Sequence, residues 1–103
     1  MYRGDWKENK MDGKGVLQWR DGREYRGEFV KHKREGFGQF KWADGRSYRG
    51  YWEGGKQQGL GIFTNFGGEE KKGEWENGRR IRWISDHQAS RMDFSLPSQT
   101  LFS

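Results

Sequence analysis

A short motif returns along this chain at a fixed interval. Tyr-Arg-Gly, followed two positions later by Trp or Phe, begins at residues 2, 25 and 48, and a weaker copy with Lys-Lys-Gly begins at residue 71. Each copy starts 23 residues after the previous one, without insertion or deletion. A fixed period of about 20–50 residues is typical of stacked repeat architectures. The chain is therefore predicted to consist of repeats 2–24, 25–47 and 48–70, a partial repeat 71–84, and a C-terminal segment 85–103.

Each repeat contains two stretches in which side chains alternate with a period of two. In the first stretch, Tyr2, Gly4 and Trp6 alternate with charged residues, and in the second, Gly13 and Gly15 begin an apolar face. This alternation predicts strands with one aromatic face and one charged face. Glycines that keep phase inside strands indicate close approach of another group, here the rings of a neighbouring strand. We expect a thin single-sheet solenoid in which a few large rings supply most of the buried area.

Two kinds of turn are predicted to join these strands. Asp-Gly occurs at residues 21–22 and 44–45 and is replaced by Gly-Gly at 67–68. Asp-Gly between alternating strands predicts a two-residue hairpin turn in which both central residues have φ > 0. The loop after the first strand carries, at its third position, residue types that tolerate the left-handed region, so we expect φ > 0 there too. These residues are Asn9, His32, Gly55 and Gly78.

The combined pattern resembles the MORN (membrane occupation and recognition nexus) repeat family. The matching elements are Tyr-x-Gly-x-Trp, Gly-Lys, Gly-x-Gly, and then an aromatic residue with Asp-Gly, and they cover about residues 1–84. Asn9 and His32 depart from the family's preference for Gly, and Lys71 departs from its preference for Tyr. The resemblance implies an all-β fold, an elongated twisted antiparallel sheet of stacked hairpins. It also implies scaffold, cytoskeletal or membrane-associated roles and no activity of its own.

The repeat pattern ends shortly after Gly78. Residues 79–84 lack a Gly-x-Gly and are predicted to form a charged C-terminal cap of the sheet. Ser85 and Gln88 fit a capping box, which predicts a short helix over about 86–93. An extended tail follows, which we expect to be held against the sheet or against a partner. Its predicted contact residues are Met92, Phe94, Leu96, Leu101 and Phe102.

No residue of this sequence is assigned to catalysis, to a metal or to a cofactor. The chain has no cysteine, and its two histidines, His32 and His87, lie far apart in the sequence, whereas a metal site needs three or four convergent ligands. The segment from Gly50 to Lys56 spells the start of a phosphate-binding loop, but Gln57 stands where Ser or Thr is required. We therefore predict a protein that is not an enzyme.

The aromatic face predicts a site for another protein. A long repeat sheet offers a groove of rings and open strand edges, and the addition of a strand to an edge is a general binding mode. The expected partner is an amphipathic helix, an extended segment, or a second copy of the chain that joins through the sheet ends. The predicted groove residues are Tyr2, Trp6, Trp19, Tyr25, Phe29, Phe40, Trp42, Tyr48, Trp52 and Phe63.

Two ladders of basic residues provide an alternative. The ladder of Arg3, Arg26, Arg49 and Lys72 is expected to be neutralised by Asp5, Glu28 and Glu74 on the same face. A second ladder at the loop tips, with a net charge of +5 for the chain, predicts peripheral binding to anionic phospholipid membranes as the alternative function. This second ladder consists of Lys10, Lys33, Lys56 and Arg79. Nucleic acid ranks below both partners, because stacking on bases needs exposed rings.

The expected location is the cytoplasm, in contact with the cytoskeleton, a cilium or a membrane. The sequence shows no apolar run of the roughly 20 residues that a membrane span requires and no recognisable signal peptide. The absence of cysteine fits a reducing compartment. The cytoskeletal, ciliary and membrane settings follow only from the family resemblance.

Overall fold

The computed structural model describes residues 1–89, which form one open antiparallel sheet followed by a single helical turn. The strands are paired in the order in which they occur along the chain, each with the next. They are β1 (Tyr2–Lys7), β2 (Lys10–Gln18), β3 (Glu24–Val30), β4 (Lys33–Lys41), β5 (Ser47–Glu53), β6 (Lys56–Thr64), β7 (Glu70–Glu76) and β8 (Arg79–Ile84). The predicted all-β sheet of stacked hairpins is therefore confirmed. Helix α1 (Asp86–Ala89) follows β8.

The capping box predicted at the start of α1 is present. The backbone N–H of Gln88 donates to Oγ of Ser85 at 3.1 Å, and the backbone N–H of Ser85 donates to Oε1 of Gln88 at 3.1 Å. The predicted continuation of the helix to residue 93 lies outside the described residues. The same is true of the five predicted tail contacts, which are Met92, Phe94, Leu96, Leu101 and Phe102.

A row of glycines crosses the sheet at right angles to the strands. One glycine from each of β1 to β6 faces a glycine of the next strand, as far as β7. The row consists of Gly4, Gly15, Gly27, Gly38, Gly50, Gly61 and Gly73. In each full repeat, the tyrosine that begins the repeat lies over the two glycines of its own hairpin. A Cβ built on Gly61 would lie 2.5 Å from Cε2 of Tyr48. The predicted contact between rings and bare backbone is confirmed.

The pairing register shifts just beyond the glycine pair of each full hairpin, and in the first two hairpins an acidic side chain satisfies the backbone there. In β3 the shift lies between Gly27 and Phe29, and Oε2 of Glu28 accepts a hydrogen bond from the backbone N–H of Phe37 at 2.7 Å. Asp5 accepts from the backbone N–H of Lys14 at 3.0 Å in the same way. Asp5 and Glu28, which were expected to neutralise the ladder of Arg3, thus bond to backbone amides.

The partners of that ladder are other side chains. The guanidinium of Arg26 pairs with Glu24 at 2.8 Å, and that of Arg49 with Glu70 at 3.5 Å. Glu74 pairs with Arg82 of the last strand at 2.9 Å. Burial opposes ionisation of Glu24, but its hydrogen bonds with Arg26 and Gln18 prevail and hold the pKa of that carboxyl below its usual value.

The two-residue turns predicted at the Asp-Gly positions occur instead in the loops that follow the odd-numbered strands. The predicted φ > 0 at Asn9, His32, Gly55 and Gly78 is confirmed, with φ of 64°, 72°, 85° and 83°. The residue before each of them also has positive φ, so these are the two-residue turns that match the strand twist.

The Asp-Gly loops are longer than predicted. The backbone N–H of Trp19 donates to the carbonyl of Arg23, and that of Gly22 donates to the carbonyl of Trp19. Of Asp21 and Gly22, only the glycine has positive φ, at 100°. The prediction that both central residues have φ > 0 is therefore wrong. These loops span three residues, a type I turn followed by a left-handed glycine.

Each two-residue turn after the first is bonded to the preceding hairpin. The backbone N–H of Gly55 donates to the carbonyl of Arg34 at 3.0 Å, and the N–H of Gly54 donates to Oε1 of Glu35 at 2.7 Å. Equivalent pairs of bonds tie the turns at 31–32 and 77–78 to the hairpins before them. Because the turns carry the contacts between repeats, their backbone conformation affects the whole stack.

We expect Gly61→Ala to lower the free energy of unfolding by about 1–3 kcal/mol, the usual cost of overpacking. The new methyl would press on the ring of Tyr48, and the sheet has no room to move it. Gly73→Ala is the matched control, because Lys71 replaces the tyrosine there and the nearest atoms lie 3.1 Å from the added Cβ. Urea unfolding should show the smaller loss for Gly73→Ala. Equal losses would mean that the tyrosine is not the obstacle.

Gly55→Ala tests the backbone of the turn separately from packing. No atom lies within 4 Å of a Cβ at this position, but φ is 85°, so the cost should be conformational, about 1–2 kcal/mol. Gly55→Asn should recover part of that loss, because Asn tolerates the left-handed region better than Ala. The two urea midpoints are the measurement. A neutral Gly55→Ala would contradict the assigned conformation.

Candidate functional site

The aromatic residues predicted to form a groove lie together on one face of the sheet, here called the aromatic face. Its centre is a cluster of buried rings, Tyr25, Phe29, Phe40, Tyr48, Trp52 and Trp75, against which the outer rings pack. Neighbouring rings meet edge to face, as in Tyr25 and Trp52, whose centroids are 5.5 Å apart with an interplanar angle of 89°. Because these central rings are buried, they form the floor of the face and hold the sheet together.

The rings that a partner can reach lie at the rim. Trp6 at one end and Trp83 at the other are 58% and 39% exposed. Between them, Trp19, Trp42 and Phe63 are half-buried. The predicted groove residues therefore divide into a structural floor and an accessible rim.

The aromatic face opens into a groove near its C-terminal end. This groove has a volume of about 260 Å³. It is lined by Trp42, Gln57, Phe63, Trp75, Arg80 and Trp83. Two departures from the repeat replace large rings in the C-terminal part of the sheet. Asn65 stands where the first two repeats have Trp19 and Trp42, and Lys71 stands where each full repeat has a tyrosine.

Cations lie against the rings of this groove. The guanidinium carbon of Arg80 is 4.4 Å from the ring centroid of Trp83, and Nζ of Lys71 is 5.4 Å from the same centroid. None of the six residues that line the groove is acidic. A positive, aromatic groove of this kind favours an apolar ligand with negative charge.

A third cation, Arg34, lies further along the aromatic face. Its guanidinium carbon is 4.6 Å from the ring centroid of Trp52 and 5.3 Å from that of Phe40. Its Nη2 donates to the carbonyl of Gly55 at 2.8 Å. Burial lowers the pKa of this guanidinium, which nevertheless stays charged at neutral pH because an arginine titrates far above it.

Sequence reasoning missed five residues of this surface. Trp75 is the aromatic residue of the weaker fourth copy, which contributes no residue to the predicted groove. Trp83 lies outside the repeat register. Arg34 and Arg80 share one repeat position, which carries Met11 and Gln57 in the other copies, and Lys71 stands where the full repeats have a tyrosine. Only the structure shows that these cations face the rings.

The loop-tip ladder lies along one edge of the sheet, and its four members are exposed. Each residue begins an even-numbered strand and faces the last residue of the strand before it. Lys56 faces Glu53, and Arg79 faces Glu76. Lys10 instead faces Lys7, and Lys33 faces Val30. The ladder is therefore compensated in its C-terminal half and uncompensated in its N-terminal half.

The structure offers little for metal chemistry or membrane crossing within residues 1–89. In this part of the chain, no group of three or more His, Asp or Glu side chains could hold a metal ion. Across the same residues, no helix has the length and apolar character to cross a membrane.

A single layer of consecutive hairpins, built on one glycine row and one aromatic face, defines a β-repeat protein. The family model of the MORN repeat matches residues 2–22, 25–45, 48–68 and 72–80. The chain belongs to the MORN repeat family. This is a non-catalytic repeat family, and its members are generally involved in protein or membrane interactions. No curated protein matches the sequence.

The buried tyrosines predict how stability depends on pH. Burial raises the pKa of Tyr25 and Tyr48, so the folded chain keeps both protons where unfolded tyrosines ionise, near pH 10. The unfolded chain then binds fewer protons, and stability falls as pH rises above about 10. We expect the urea midpoint of Tyr48→Phe to fall less than that of the wild type between pH 8 and pH 11. Parallel midpoint curves would mean that the phenol ionises freely in the folded state.

Proposed function

We propose that this chain is a non-catalytic scaffold module that binds an acidic segment of another protein in the groove of its aromatic face. The observation that carries the proposal is the open groove of about 260 Å³ at the C-terminal end of the face, with rings on its walls and cations at its rim. The rest of the aromatic face is filled by the chain's own rings.

The groove has the features of a binding hot spot. Exposed tryptophan and arginine side chains are the residue types that most often dominate binding energies, and Trp83 and Arg80 lie side by side here. Trp42 and Phe63 continue the wall, with centroids 6.3 Å apart. A large apolar side chain of the partner would fill the space between these rings. A carboxylate of the partner beside it would meet Arg80 and Lys71.

The cellular setting is part of the same proposal. MORN repeats generally serve protein or membrane interactions, and we propose that this module acts in the cytoplasm, within a cytoskeletal, ciliary or membrane-contact assembly. In such an assembly, a rigid sheet without catalytic groups would act by holding one partner at a fixed distance from another.

The N-terminal half of the loop-tip edge supports a second candidate function, peripheral binding to anionic phospholipid. Lys7, Lys10, Lys31 and Lys33 are exposed there, and cross-strand carboxylates do not face them. Each basic residue near an acidic membrane contributes about 1 kcal/mol, so these four give a weak attachment. We rank this function second, because one electrostatic signal seldom anchors a protein stably.

A selection of random peptides displayed on phage tests the groove without knowledge of the natural partner. We expect the wild type to enrich sequences that combine a large aromatic residue with Asp or Glu. Arg80→Glu and Trp83→Ala should weaken the selected peptide by about tenfold or more, as expected for hot-spot residues. Both residues are exposed on the last strand, so the fold should survive. Lys10→Glu is the matched charge control and should change the affinity less than twofold.

Vesicle sedimentation separates the two candidates. Vesicles that contain phosphatidylserine should bind the wild type weakly at about 0.15 M salt, where exposed charges are screened over roughly 8 Å. Double replacement of Lys10 and Lys33 by Glu should remove what binding there is and leave peptide affinity intact. Enrichment of basic peptides, or tight vesicle binding lost with Lys10 and Lys33, would reverse the ranking.

A further inference from the structure

The face opposite the aromatic face, which the sequence predicts to be charged, carries an apolar stripe. Phe37, Ile62 and Ile84 are 3%, 9% and 6% exposed. Phe37 faces Tyr51 across the β4–β5 pair, with ring centroids 6.1 Å apart. We call Phe37, Tyr51, Leu60, Ile62 and Ile84 the second-face stripe.

The second-face stripe runs diagonally across the C-terminal half of the sheet. The strand pairing places Ile62 opposite Lys72, and Lys72 opposite Ile84, so both isoleucines project from the same face. Phe37 lies on β4, and Ile84 is the last residue of β8. The stripe therefore ends where the described chain leaves the sheet and enters α1.

The second-face stripe breaks the repeat pattern. The position of Phe37 and Leu60 is occupied by Lys14 in the first repeat. The position of Tyr51 carries an acid in the other three copies, Asp5, Glu28 and Glu74. Replacement of charged residues by large apolar ones in later hairpins alone is costly on a face open to water. Phe37, Ile62 and Ile84 are nevertheless at most 9% exposed, so this part of the face is covered and not open to water.

The C-terminal segment has the length and composition to be that cover. Residues 90–103 follow α1 directly, and five of them are the apolar residues predicted as tail contacts, Met92, Phe94, Leu96, Leu101 and Phe102. Four strand spacings separate β8 from β4, about 19 Å. An extended segment of this length reaches about 46 Å at most. The segment can therefore span the whole stripe, starting from its C-terminal end.

We propose that residues 90–103 fold back across the second face and cover the second-face stripe. The two faces then have separate tasks. The stripe is closed by the chain's own C-terminal segment, and the groove on the aromatic face stays open to a partner. This assignment is independent of the proposed function, because it concerns the opposite face and none of the groove residues.

Nuclear Overhauser effects in the full-length chain test the assignment directly. The sequence has only three isoleucines, at 62, 81 and 84, so their methyl signals can be assigned by single replacements. We expect contacts from the ring of Phe94 and the methyls of Leu96 to the methyls of Ile62 or Ile84. Contacts from the segment to Leu17 or Met11, which pack against the aromatic cluster, would place the segment on the aromatic face and contradict the proposal. An absence of contacts to the sheet would also overturn the proposal.

Two further measurements distinguish other occupants of the stripe. A mixture of isotope-labelled and unlabelled chains reports contacts between molecules; if the contacts to Ile62 appear there, a second copy covers the stripe and the proposal fails. Leu96→Asp should expose the stripe and raise the binding of an apolar dye severalfold, with peptide affinity at the groove unchanged. Thr100→Asp is the matched charge control and should leave dye binding near that of the wild type. Equal dye binding by Leu96→Asp and the wild type would contradict the proposal.

Discussion

The contact between a tyrosine ring and two facing glycines is the interaction on which the rest of this structure depends. In a single-layer sheet there is no second layer to bury side chains, so the rings must lie flat on the backbone itself. Each of the three tyrosines that begin a full repeat covers the glycine pair of its hairpin, and its O–H donates to a main-chain carbonyl where the pairing register shifts. The ring supplies buried area, and the phenol satisfies an acceptor that the shift leaves outside the ladder. The glycine row and the aromatic face are consequences of this one arrangement.

Positions that repeat could be predicted from sequence, because the same physical requirement is visible several times. The strands, the glycine row and the positive φ at Gly55 and its equivalents followed from phase alone. The Asp-Gly loops were predicted wrongly, because a dipeptide does not determine where pairing stops. There the Trp19–Arg23 bond closes a three-residue loop, and the cation of Arg23 lies 5.0 Å from the centroid of Trp19. The pairing of Trp19 with Arg23 therefore determines the length of the loop, and the Asp-Gly dipeptide does not encode that pairing.

The candidate groove could be predicted only in part, because it depends on residues that do not repeat. Sequence located the aromatic face but could not separate a floor of buried rings from an accessible rim, since both obey the same period. The open groove lies where the period fails. Lys71 leaves Gly73 without a tyrosine, and the partner of Gly73 in β8 is Trp83. The ring of Trp83 lies beside that of Trp75, with centroids 6.1 Å apart. Trp83 of the last strand thus supplies a ring in place of the missing tyrosine, and the open groove lies beside it.

Departures from the repeat are therefore the places to look for specificity in such a chain. A residue shared by all copies is already engaged by its neighbours, as Gly27 is with the facing Gly38. A residue found in only one copy is not required by the contacts that every repeat makes with its neighbours. Lys71 and Trp83 at the groove, and Phe37 and Tyr51 on the second face, are residues of this kind. The repeated interactions make a stiff sheet without choosing a ligand, and the unrepeated residues supply both surfaces that another segment can recognise.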